Sequence, residues 1–141
     1  MTSLACRPSI TNPDALPSCM APVNAIGGVF FRALDPAALA SWYARAFGLP
    51  FDDGGTYAVL PAVGDASAVL AIFPAESGYL GDPRRQQAMV NLRTDDLGEL
   101  LARLDHEGIA HEEAQDTEHG RFAWTTDPEG NRVELWQPAC T

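Results

Sequence analysis

The chain carries the same short plan twice, and this constrains it more than any other feature. Residues 27–34, Gly27-Gly28-Val29-Phe30-Phe31-Arg32-Ala33-Leu34, read as a strand. Asp35 then caps a helix, with Pro36 at the first helical position, where its missing N–H costs nothing. Leu39, Trp42, Tyr43, Ala46 and Phe47 recur at helical spacing, and Gly48 supplies the stop. Strands follow at residues 57–60 and 67–73. The order then repeats. Residues 89–94 read as a strand, Asp95 or Asp96 caps a helix, and Leu97, Leu100, Leu101 and Leu104 form its apolar face. Gly108 ends it. Strands at 122–126 and 132–136 flank an Asp127-Pro128-Glu129-Gly130 turn. Sliding Gly28 onto Met89 also lays Phe31 on Leu92, Arg32 on Arg93, Asp35 on Asp96 and Leu39 on Leu100. A slightly larger shift lays Leu70 on Glu134 and Pro74 on Pro138. A tandem of two βαβββ modules is expected, an α+β architecture.

Four prolines, Pro8, Pro13, Pro17 and Pro22, precede the first strand. At that density they preclude a regular helix or a central strand, so residues 1–24 are expected to be an extension. Residues 25–141 are then a single domain, with module one at 25–80 and module two at 86–138. With 141 residues and 46% apolar composition, the chain can bury a core without a disulfide or metal. Nineteen acidic residues against nine arginines and no lysine give a net charge of −10. Such a chain is repelled by phosphate backbones and anionic lipid, so neither nucleic acid nor membrane is an expected partner. Cys6, Cys19 and Cys140 are odd in number and form no CxxC pair, which points to reduced thiols and the cytoplasm. No apolar run is long enough to span a bilayer.

The two-module plan resembles the vicinal oxygen chelate superfamily, which contains glyoxalase I, extradiol dioxygenases and the bleomycin and fosfomycin resistance proteins. Residues 30–36, Trp42-Tyr43 and Phe47-Gly48-Leu49 carry the resemblance. The more specific stretches are 120–124 and 127–136. The resemblance implies a curled mixed sheet around a central cavity, with helices on the outside. It also implies a two-fold homodimer. Side-chain alternation in such a sheet turns Gly28, Phe30 and Arg32 inward on the first strand. It does the same for Met89, Asn91 and Arg93 on the fifth, and for Arg132, Glu134 and Trp136 on the last.

Metal-dependent members of the superfamily draw their ligands from four pseudo-symmetric inward positions, which here are Gly28, Leu70, Met89 and Glu134. One carboxylate among them does not make a site for a hard divalent ion. The expectation is therefore no metal and no cofactor. What remains is a small-molecule-binding protein of the glyoxalase or bleomycin-resistance type. Its candidate binding residues are Phe30, Arg32, Asn91, Arg93, Trp124 and Trp136. The alternative is a glyoxalase-like lyase or isomerase in which Glu134 is the catalytic general base. Each residue also has a plainer reading. Glu134 can pair with an arginine, Trp124 and Trp136 can be packing, Asn91 can be a structural polar group, and Arg32 can lie in water. Three inward arginines against one glutamate make the expected cavity locally positive, which favours a ligand with an anionic group.

Overall fold

The computed structural model describes residues 23–63 and 66–140. The expected extension lies outside the described residues, apart from Val23 and Asn24, which already belong to the first strand. The elements in chain order are β1 (Val23–Ala33), α1 (Pro36–Phe47), β2 (Tyr57–Val63), β3 (Ala66–Pro74), β4 (Ala88–Thr94), α2 (Leu97–His106), β5 (Gln115–Thr117), β6 (Gly120–Thr126) and β7 (Arg132–Pro138). A single turn of 3-10 helix, Gly78–Leu80, sits between β3 and β4.

The helix boundaries follow from local chemistry. The Asp35 side chain accepts the Ala38 N–H at 3.0 Å, and Gly48 closes α1 in the left-handed region at φ 67°. Of the two candidate caps for α2, Asp96 is used, accepting the Glu99 N–H at 3.0 Å. In the β6–β7 turn the Asp127 carboxylate accepts the N–H groups of Glu129 and Asn131, and Gly130 takes φ 89°.

The strands form one mixed sheet in the order β2-β3-β1-β4-β7-β6-β5. β1 and β3 are parallel, as are β4 and β7. β1 and β4 join the modules antiparallel, with Val29 opposite Val90. That pairing is the centre of the internal repeat, since it relates Gly28 to Met89 and Phe30 to Asn91. The sheet is the expected curled half-barrel, one strand short of eight. The chain between α1 and β2, where module two has β5, runs through Pro50, Asp52, Asp53, Gly54 and Gly55, with a turn closed by Gly55 N–H to Asp52 C=O at 2.7 Å. Turn residues there leave β2 as a bare edge.

Both faces of the sheet are used. On the convex face Leu97 and Leu100 of α2 bury against Ala123 and Leu135. Each such leucine contributes about 1.5–3 kcal/mol by leaving water. On the concave face Phe30, Ala71, Leu80, Met89 and Trp124 form a second cluster. Leu80, from the 3-10 turn, is fully buried in this cluster, and the concave face beside it opens as a cleft. Among the described residues no helix is long and apolar enough to cross a membrane. Cys140 takes part in a disulfide. This departs from the reduced thiols expected from the sequence and removes the cysteine support for a cytoplasmic location.

Candidate functional site

The concave face opens into a cleft of about 620 Å³. Its walls are mainly apolar: Phe30 from β1, Tyr57 and Val59 from β2, Val69 and Phe73 from β3, and Phe122 from β6. Trp136 of β7 and His119, just before β6, stand at one side of it. These positions alternate along each strand with the residues under the helices, as pleating requires.

At the floor lies Glu134, only 1% exposed. Register places it opposite Asn91 on β4 and Trp124 on β6. Three groups donate to its carboxylate. The Asn91 amide reaches Oε1 at 2.7 Å, the Trp124 indole N–H reaches Oε2 at 2.9 Å, and the Tyr79 hydroxyl also donates to Oε2. Tyr79 stacks on Phe73 with ring centroids 5.1 Å apart. Its phenol is pushed above the ordinary tyrosine range, first by burial and then by its bond to the Glu134 carboxylate, so it remains a donor. Glu134 makes no ion pair among the described residues. The structural pairing with an arginine that the sequence allowed is therefore not what holds it.

The candidate residues separate into three groups. Phe30, Asn91, Glu134 and Trp136 line the cleft. Trp124 is buried behind it and acts on Glu134 through its indole N–H. The arginines do not line it. Arg32 donates to four main-chain carbonyls, those of Gln86 at 2.9 Å, Ala75 at 3.2 Å, Gly81 at 3.0 Å, and Ser77. Its fork staples the 75–86 loop, which carries Tyr79, to the end of β1. Arg93 lines a separate pocket of about 190 Å³ with Thr94, Asp95 and Gln137. Arg132 lies over the Trp124 ring at 4.8 Å and pairs with Glu112 at 2.8 Å. The locally positive cavity expected from the sequence is corrected accordingly: the formal charge on the cleft wall is that of Glu134. Tyr79 and Phe73 were missed. Tyr79 sits in a loop without periodicity, flanked by Gly78 and Gly81, and nothing local marks it as a ligand of Glu134.

Strand register also revises the four pseudo-symmetric positions. Asn91 faces Glu134, and its repeat partner Phe30 faces Ala71. The counterpart of Glu134 in module one is thus Ala71, not Leu70, which pairs with Val29 on the opposite face. The set is Gly28, Ala71, Met89 and Glu134. These residues do not suit a hard divalent ion. Ala71 and Met89 belong to the apolar cluster, and a Cβ on Gly28 would lie 2.5 Å from the Val69 carbonyl oxygen. Among the described residues no group of three His, Cys, Asp or Glu could hold a metal. Gly28→Ala is expected to lower stability by about 1–3 kcal/mol, the range for overpacking against backbone. An unchanged urea midpoint would show that β1 and β3 can separate there at no cost.

The sequence matches the glyoxalase-like domain over residues 28–136. The chain belongs to that family. The vicinal oxygen chelate layout inferred from the repeat is thereby met. No curated protein matches it in sequence. Solved structures resemble this glyoxalase-like chain in fold. Methylmalonyl-CoA epimerase from Mycobacterium tuberculosis superposes with a TM-score of 0.63 at 19% identity, over 90% of this chain and 95% of that one. A variant of the Streptomyces coelicolor methylmalonyl-CoA epimerase, in complex with 2-nitronate-propionyl-CoA, gives 0.64 at 12% identity, over 84% and 100%. An NAD-dependent benzaldehyde dehydrogenase from Legionella pneumophila gives 0.52 at 14%, over 77% and 96%. At these identities the likeness is one of fold.

Proposed function

We propose that this glyoxalase-like protein binds a flat, largely apolar small molecule in the cleft, without a metal ion. The observation that carries this reading is the composition of the walls: aromatic and aliphatic side chains around a floor with one carboxylate, held by Tyr79, Trp124 and Asn91. Concave, mostly apolar sites with few polar groups are where small ligands are held. The epimerases of similar fold include one in complex with 2-nitronate-propionyl-CoA, so a protein of this fold can hold a small-molecule guest. An anionic group on the ligand is not part of the proposal, because among the described residues no guanidinium lines the cleft. General-base work by Glu134 is the weaker reading, since three donors already hold both carboxylate oxygens. A two-fold homodimer belongs to the proposal. Trp42 is 48% and Phe47 64% exposed on the outer side of α1, an aromatic surface suited to a second copy. Light scattering giving only a particle of the monomer mass, 15.1 kDa, at micromolar concentration would remove that part.

The test uses a neutral aromatic probe, 2-naphthylmethanol, titrated against the full chain by calorimetry. Binding is expected to be unchanged by EDTA or by added Ni²⁺ or Mn²⁺. Trp136→Ala should weaken it about tenfold, since an aromatic contact is worth on the order of 1 kcal/mol beyond its buried area. Binding that appears only with added metal, or that ignores Trp136→Ala, would reject the proposal.

A further inference from the structure

Glu134 is a buried carboxylate whose three partners are all neutral donors. Burying an ion without a counter-charge is costly, and the cost is usually met by a paired cation. No described side chain provides one here. Arg32 is committed to main-chain carbonyls, and Arg132 is paired with Glu112. A carboxylate offers about four lone-pair sites, and three are taken, which leaves one on Oε1.

Asn91 fixes how Oε1 is held. It is 2% exposed and lines the cleft. Its Nδ2 must face Glu134, because the reverse orientation would set oxygen against oxygen. Its Oδ1 is therefore turned away, and that atom is buried with no hydrogen-bond partner among the described residues. That oxygen packs against Gly27 beside Trp136, so the acceptor left with a spare lone pair at the floor of the cleft is Glu134 Oε1. Around it stand the rings of Phe30, Phe73, Phe122 and Trp136, and an aromatic face attracts a cation.

We infer that the cleft is built for a cationic guest: an ammonium or amidinium nitrogen, carried on an aromatic body, seated against Glu134 Oε1. This rests on the small-molecule reading above and adds the sign of the ligand's charge. It reverses the anionic ligand expected from the sequence, because the arginines that argued for an anion serve the loop and the outer surface.

The test uses three probes on one ring system: 2-naphthylmethylamine, 2-naphthylmethanol and 2-naphthoic acid, titrated at pH 7 against the full chain. The amine is expected to bind about tenfold or more tighter than the alcohol, the margin of a charge-assisted over a neutral hydrogen bond. The acid should bind weaker than either. Glu134→Gln should remove the amine's advantage over the alcohol. The order among the three on the unaltered protein needs no variant to fold. Equal affinity for amine and alcohol would overturn the cationic inference and leave the apolar cleft standing. Preferential binding of the acid would also overturn it. Absence of binding by all three would reject both readings.

Discussion

Glu134→Leu is expected to destabilise the protein by about 3–5 kcal/mol. The leucine removes the acceptor for three donors at once, and each buried donor left unpaired costs about 1–3 kcal/mol, the sum being less than additive within one network. Tyr79 bears the change most visibly, because its hydroxyl loses its partner at a site where its rings are packed between Phe73 and Trp124. Glu134→Gln is expected to behave very differently, staying within about 1 kcal/mol of the parent. A glutamine oxygen can still accept from Tyr79 and Trp124. Its amide would face a reoriented Asn91, whose Oδ1 then gains the donor it now lacks. Urea unfolding with the slope compared between variants measures both. Equal and large losses for Leu and Gln would mean that the charge, not the hydrogen-bond pattern, holds the floor together.

The second large effect is at Arg32. Arg32→Ala should cost about 3–4 kcal/mol, because four carbonyls of the 75–86 loop lose a common donor. The loop carries Tyr79 and Leu80, so its release also draws Leu80 from the concave cluster and Tyr79 from Glu134. Binding of 2-naphthylmethanol should weaken together with stability. Arg32→Lys should restore less than half of the loss. A single ammonium cannot reproduce a planar fork that addresses Gln86, Ala75, Ser77 and Gly81 from one point. A lysine variant as stable as the parent would show that a point charge suffices there and that the fork geometry is incidental.

The two helices, their caps and the repeat were legible in the sequence because each rests on contacts within a few residues. Asp35 and Asp96 cap by reaching three residues ahead, and Gly48 stops α1 through its own φ. The choice of Glu134, Asn91, Phe30 and Trp136 as cleft residues followed from strand alternation, which is equally local. What failed was of another kind. Matching Leu70 to Glu134 used the coincidence of Pro74 with Pro138, and one residue of slip turns every side chain to the other face. Only the pairing of Phe30 with Ala71 and of Asn91 with Glu134 decides that register.

Arg32 was placed on the right strand and given the wrong partner. Its targets are backbone carbonyls, which carry no residue signature, on a loop whose path no periodicity reveals. Tyr79 was missed for the same reason. The amino-acid sequence by itself determined the two-module α+β plan, the glyoxalase-like membership and the presence of one carboxylate at an inward position. The tertiary structure alone decided what surrounds that carboxylate. Whether its partner is an arginine or a tyrosine hydroxyl depends on distances between strands and loops some fifty residues apart in the chain, as with Tyr79 and Glu134 at a separation of 55. The strength of a charge interaction depends on separation and on burial, so the sign of the cleft was beyond reach until those distances were known.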